Sequence, residues 1–90
     1  MRIWGKLIKD NRLLRDTVAD IPGNGTRTQK VLEALHRICL VFDLAEPIWL
    51  DVNIKEFQRV AKTRFRQDSF LETVPFDYLE FQVIEEDPRL

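Results

Sequence analysis

The chain has 90 residues, 44% of them hydrophobic and 32% charged, with a net charge of −1. That length suits one domain over residues 1–90, whose core hides roughly 60–65% of the surface exposed by the unfolded chain. The balanced composition argues against disorder, and the near-zero charge by itself predicts no polyanionic partner. A lone cysteine, Cys39, cannot form an internal disulfide. Asp10, Asn11 and Arg12 interrupt the apolar start, so no signal peptide is expected, and the longest apolar run is far below the ~20 residues that span a bilayer. These features point to a cytoplasmic protein with no membrane partner.

Residues 2 to 21 read as a β-hairpin, because two runs with period-two alternation flank Asp10-Asn11, a pair that tolerates positive φ. Two registers compete. A two-residue loop sets Leu7 opposite Leu14 and Ile3 opposite Val18, giving one apolar face, but sets Lys6 opposite Arg15. A three-residue loop pairs Lys6 with Asp16 and Trp4 with Val18. A one-residue slip moves every side chain to the other face, and the cleaner apolar face favours the first register.

Pro22 to Gly25 form a loop. Thr26 with Gln29 fits a capping box, with Thr28 as a second candidate cap. Val31, Leu35, Ile38 and Phe42 then make a helical stripe, widened by Leu32 and Cys39, and the helix ends near Asp43. After Pro47, the apolar Ile48-Trp49-Leu50 covers one end of the core, and Asp51 or Asn53 then caps a shorter helix from Ile54 to Ala61, with Phe57, Val60 and Ala61 inward. Residues 62 to 65 are extended. Asp68-Ser69 caps a helical turn over Phe70-Leu71-Glu72. Residues 77 to 86 form a last strand, with Leu79, Phe81 and Val83 on one face and Tyr78, Glu80, Gln82 and Ile84 on the other.

The predicted fold is therefore α+β. An N-terminal hairpin, a long amphipathic helix and a shorter helix precede a C-terminal strand, which completes a small antiparallel or mixed sheet packed on the helices. Its simplest form has three strands. Charge supports that closure. Residues 1 to 66 hold 13 Lys/Arg against 8 Asp/Glu, whereas residues 67 to 90 hold 1 Arg against 7 Asp/Glu. An acidic last strand beside a basic hairpin neutralises both.

Catalytic chemistry is hard to assemble. His36 is the only histidine, and Cys39, three residues on, belongs to the apolar stripe, where a thiol is inert. Glu33 with His36 has metal-ligand spacing, but one helix cannot close a zinc shell. Gly23-x-Gly25-Thr26, with Arg27 and Lys30 behind it, lacks the glycines and lysine of a phosphate loop. No catalytic residue, metal or cofactor is expected.

Two surfaces remain. Trp4, Ile8 and Leu13 fall on the hairpin face away from the helix, and Trp49 follows Pro47. Together they are the candidate contacts for self-association as a homodimer or for docking another protein. The alternative is nucleic acid held by Lys55, Arg59, Lys62, Arg64 and Arg66, interleaved with Phe57 and Phe65.

Met1-Arg2-Ile3 through Ile8-Lys9-Asp10-Asn11-Arg12, then Pro47 to Leu50 with Asn53, Lys55-Glu56-Phe57, Lys62-Thr63, Phe65 and Phe70 carry a resemblance over most of the chain. It resembles a group of short proteins from anaerobic Gram-positive bacteria to which no activity is attached. That resemblance implies a bacterial cytosolic setting and supplies no site.

Overall fold

A computed structural model describes residues 1–88. Strands β1 (Arg2–Lys9) and β2 (Arg12–Asp20) form the hairpin, followed by helices α1 (Arg27–Phe42) and α2 (Asp51–Val60). Strand β3 (Lys62–Arg66), a 3-10 turn (Gln67–Ser69) and strand β4 (Tyr78–Glu85) complete the chain. All four strands form one antiparallel sheet in the order β2-β1-β4-β3. The fold is thus α+β as expected, with four strands where the minimal assembly has three. The extended segment at 62 to 66 pairs with β4 and supplies the fourth.

The hairpin combines the two competing registers. Asp10 and Asn11 have φ of 51° and 61°, so the loop is the two-residue turn. Beside it, Ile8 faces Leu13 and Lys9 faces Arg12; farther out, Lys6 faces Asp16 and Trp4 faces Val18. A bulge between them takes up Leu14. The preferred pairings of Leu7 with Leu14 and of Ile3 with Val18 are therefore not formed. The turn chemistry demands two residues and the charges favour Lys6 opposite Asp16, and one extra residue satisfies both. Arg15 consequently joins the helix side, where it donates to the Val41 carbonyl at 3.2 Å and lies over the Phe42 ring.

Helix α1 begins as its sequence dictates. The Thr26 hydroxyl accepts from the Gln29 amide at 3.1 Å, and the Gln29 side chain accepts from the Thr26 amide at 3.0 Å. Val31, Leu35, Ile38, Cys39 and Phe42 are buried as the stripe requires, whereas Leu32 is half-exposed at the groove toward α2. In α2, Leu50 occupies the cap position and Asn53 accepts from its amide; Phe57 and Asn53 are the buried residues, while Val60 faces solvent and Ala61 is the left-handed residue ending the helix. The helix starts at Asp51, three residues before the predicted Ile54, and ends one residue earlier, at Val60. The turn predicted at Phe70 to Glu72 lies three residues earlier, at Gln67–Ser69.

Asn53 ties α2 to the sheet edge. Its amide donates to the Thr63 hydroxyl at 2.9 Å and to the Arg64 carbonyl at 3.0 Å, which shields part of an edge strand. Both helices lie on one side of the sheet. Ile38 of α1 packs on Gly5 of β1, and Phe57 of α2 meets Phe81 of β4 with ring centroids 5.7 Å apart. The centre of the core is built from Ile3, Leu7, Leu35, Ile38, Phe65, Leu79 and Phe81, with Phe70 and Phe76 closing one end edge-to-face. Among the described residues, no helix is long and apolar enough to cross a membrane.

Gly5 sets the closeness of that packing. A Cβ there would lie 2.6 Å from Cγ2 of Ile38, a stiff β-branched methyl in a filled core. Gly5→Ala is expected to destabilise the fold by about 1–3 kcal/mol, measured as a lower urea midpoint at unchanged slope. Pairing it with Ile38→Val, which shortens the other branch of that side chain and leaves Cγ2 in place, should not restore stability.

Candidate interaction surface on the open sheet face

Because both helices take the same side, the opposite sheet face is uncovered, and strand register fixes what it displays. Three rows cross it from β3 to β2. They read Lys62, Gln82, Trp4, Val18; then Arg64, Glu80, Lys6, Asp16; then Arg66, Tyr78, Ile8, Leu13. Trp4, Ile8 and Leu13 are thus brought together as the sequence suggests, and Val18 joins them. Leu13 is 51% and Val18 41% exposed, while Trp4 and Ile8 are half-buried between neighbours.

Trp49 does not belong to this surface. It sits on the helix side, its ring edge-to-face with Phe57, Phe65 and Phe81 at centroid distances of 5.4, 4.9 and 6.1 Å. The indole N–H is buried with no hydrogen-bond partner among the described residues, a modest cost set against three aromatic contacts. Trp49 therefore plugs the core, as the apolar Ile48-Trp49-Leu50 run allowed, and is not an interface contact.

The middle row is an ionic ladder. Glu80 accepts from Lys6 at 2.6 Å and from Arg64 at 3.1 Å, joining β1, β4 and β3. Burial pushes the Glu80 carboxyl up, but the hydrogen bonds and charges of Lys6 and Arg64 outweigh it, so its pKa lies below the ordinary value. The aromatics carry cations: Lys6 Nζ lies 3.9 Å from the Trp4 ring centroid, and Arg64 and Arg66 both lie over Tyr78. The Trp4 indole donates to Asp16 at 2.9 Å.

The basic segment is only partly gathered. Arg59, Lys62, Arg64 and Arg66 line a cavity of about 350 Å³ between α2 and β3, with the buried Asn53 and Ser69 and the acids Glu56 and Asp68. Lys55 lies apart, in a separate shallow depression. Phe57 and Phe65, predicted beside these cations, are core residues. Among the described residues Arg59, Lys62 and Arg66 have no carboxylate partner within ion-pair distance, whereas Arg64 is held by Glu80.

Elsewhere the polar groups are already engaged. His36 Nδ1 is 3.3 Å from Glu46 on the surface, while Cys39 is in the core, its thiol pushed up to about 12 by burial and by Glu46. Glu33 pairs with Arg37 rather than His36. Near the glycine loop, Lys30 is buried and bonded to the Gly23 carbonyl and to Asp87, and Arg27 pairs with Glu86. Hydrogen bonds from Lys30 hold the Asp87 carboxyl below its ordinary range. Comparison with protein-family models, curated proteins and solved structures gave no match, so the functional reading rests on this geometry.

Because the Glu80 pKa is lowered on folding, its contribution to stability is present above about pH 4.3 and is lost as pH falls through the lower folded value. Glu80→Gln should cost about 1–2 kcal/mol near neutrality, since Lys6 and Arg64 lose their common anion. Urea denaturation should show this gap narrowing progressively below about pH 4.

Proposed function

We propose that the protein is a non-catalytic interaction module of the bacterial cytosol that binds protein through the open sheet face. One observation carries the reading: Trp4, Ile8, Leu13 and Val18 meet on the side of the sheet that both helices leave free. A small domain that could bury this apolar group instead presents it beside ordered charges, the composition of an interface with an apolar centre and polar rim. The single thiol sits buried and unpaired, which supports a reducing compartment. Separation of the core Cys39 from the surface His36 supports the absence of a nucleophile–base pair.

Cross-linking in cells of the source type, followed by affinity capture, tests this reading. Wild type and Leu71→Lys, a substitution at a 93% exposed site outside the three rows, should retain the same protein partner, a second copy included. Trp4→Lys/Ile8→Lys should lose it while keeping a cooperative melt. Retention by the folded double variant rules the surface out.

A second reading has its own observation. Arg59, Lys62, Arg64 and Arg66 share one cavity wall, and three of them are unneutralised, which suits a phosphate backbone. If single-stranded nucleic acid binds there, Lys62→Glu/Arg64→Glu/Arg66→Glu should abolish retention on heparin. Removing three phosphate contacts should also flatten the dependence of log K on log salt by about 2. Flow-through of wild type at low salt rejects this reading.

A further inference from the structure

We infer that the partner of the open face is a second copy of this chain, stacked sheet to sheet about a twofold axis parallel to the strands; the inference rests on the interaction reading above. The face is polarised across its width. Its β2 side carries Asp16 with the apolar Leu13 and Val18, and Asp20 lies farther along the same strand opposite Arg2. Its β3 side carries Lys62, Arg64 and Arg66, level with Val18, Asp16 and Leu13 respectively. The middle row alternates in sign across the face, from Arg64 through Glu80 and Lys6 to Asp16, so a copy with its strand order reversed sets each of these charges over its opposite.

Two twofold arrangements can bring such faces together. An axis lying in the interface and perpendicular to the strands places β2 over β2 and β3 over β3, so acids meet acids and cations meet cations. An axis parallel to the strands reverses strand order while keeping the rows level. It places β2 of each copy over β3 of the other and β1 over β4. Asp16 then meets the Arg64 row, Val18 lies over the aliphatic stem of Lys62, and Ile8 faces Tyr78. Like-charge juxtaposition disfavours the first arrangement, and charge complementarity selects the second. Aligned sheets pack about 10 Å apart at about 30°, and the half-buried Trp4 and Ile8 of both copies fall in the centre.

The size of the face sets the strength. Four strands about 4.8 Å apart, with about eight residues rising about 3.3 Å each, give a footprint of roughly 500 Å² per copy. The total of about 1,000 Å² is the lower limit for a specific interface, so the dimer should be weak, near micromolar, and sensitive to salt.

Sedimentation equilibrium on charge-reversed pairs tests this arrangement. Wild type should dimerise and weaken at least about tenfold between about 0.05 M and about 0.5 M salt. Asp16→Lys and Arg64→Glu, which face one another in this arrangement, should each be monomeric at concentrations where wild type pairs. An equal mixture should restore a heterodimer, because each substituted position then faces its opposite; this result also shows that both variants fold. A monomeric wild type overturns the inference and leaves the protein-binding reading to the capture experiment. Two variants that each still dimerise, or a mixture that stays monomeric, overturn it as well.

Discussion

The fold depends on β4 entering the sheet between β1 and β3. Before that step the N-terminal hairpin has one free apolar face, and β3 has no ladder partner. After it, four strands share hydrogen bonds, and Glu80 lies where it can accept from Lys6 on one side and Arg64 on the other. A carboxylate at this depth is tolerated only because two cations reach it, and the two cations are held close only because it is there. The pairing joins residues 70 to 83 positions apart, so closing the sheet carries a loop entropy that the local hairpin and α1 do not. The apolar side of β4 offsets that cost, since Leu79 and Phe81 are fully buried against Phe65 and Phe57.

Where local chemistry acts alone, the sequence is legible. Thr26 and Gln29 announce the start of α1, the apolar stripe announces its inner face, and the alternation from Leu79 to Val83 orients β4. Where two local demands conflict, reading either one alone fails. The Asp10-Asn11 turn calls for one register and the charges of Lys6 and Asp16 for the other, and the bulge at Leu14 that reconciles them leaves no periodic signal of its own. Tertiary demands are also silent in sequence. Gly5 carries no signal of its own in the strand pattern, although Ile38 packs where its Cβ would lie, and Trp49 suits either a plug of the core or an exposed contact until three phenylalanines enclose it. Of the candidate surface, Trp4, Ile8 and Leu13 were readable because all three survive the change of register, whereas Val18 was assigned to the wrong side by it.

The open face follows from the same topology. Two helices on one side of a four-stranded sheet build a single core layer, which leaves the outer face to solvent or to a partner. A sheet with no use for that face would alternate apolar-in and polar-out along every strand. β4 largely does so, with Glu80 and Gln82 outward, whereas β1 and β2 place Trp4, Ile8, Leu13 and Val18 outward. The departure is confined to neighbouring strands, so the apolar residues adjoin one another instead of being scattered singly.

The charge asymmetry of the chain resolves into two populations on this framework. One is consumed internally: Lys6 and Arg64 by Glu80, Arg2 by Glu85, Arg27 by Glu86 and Lys30 by Asp87. These pairs bind the acidic end of the chain to its basic beginning and account for most of the opposing totals. The other population is left over by geometry. Lys62 and Arg66 lie at the β3 margin, and Asp16 and Asp20 lie on β2, with two strands between, beyond the reach of an ion pair within one molecule. A near-zero net charge therefore coexists with a dipolar face. Neutrality of the whole says little about what that face attracts, because the field at a surface is set by the charges that remain unpaired on it.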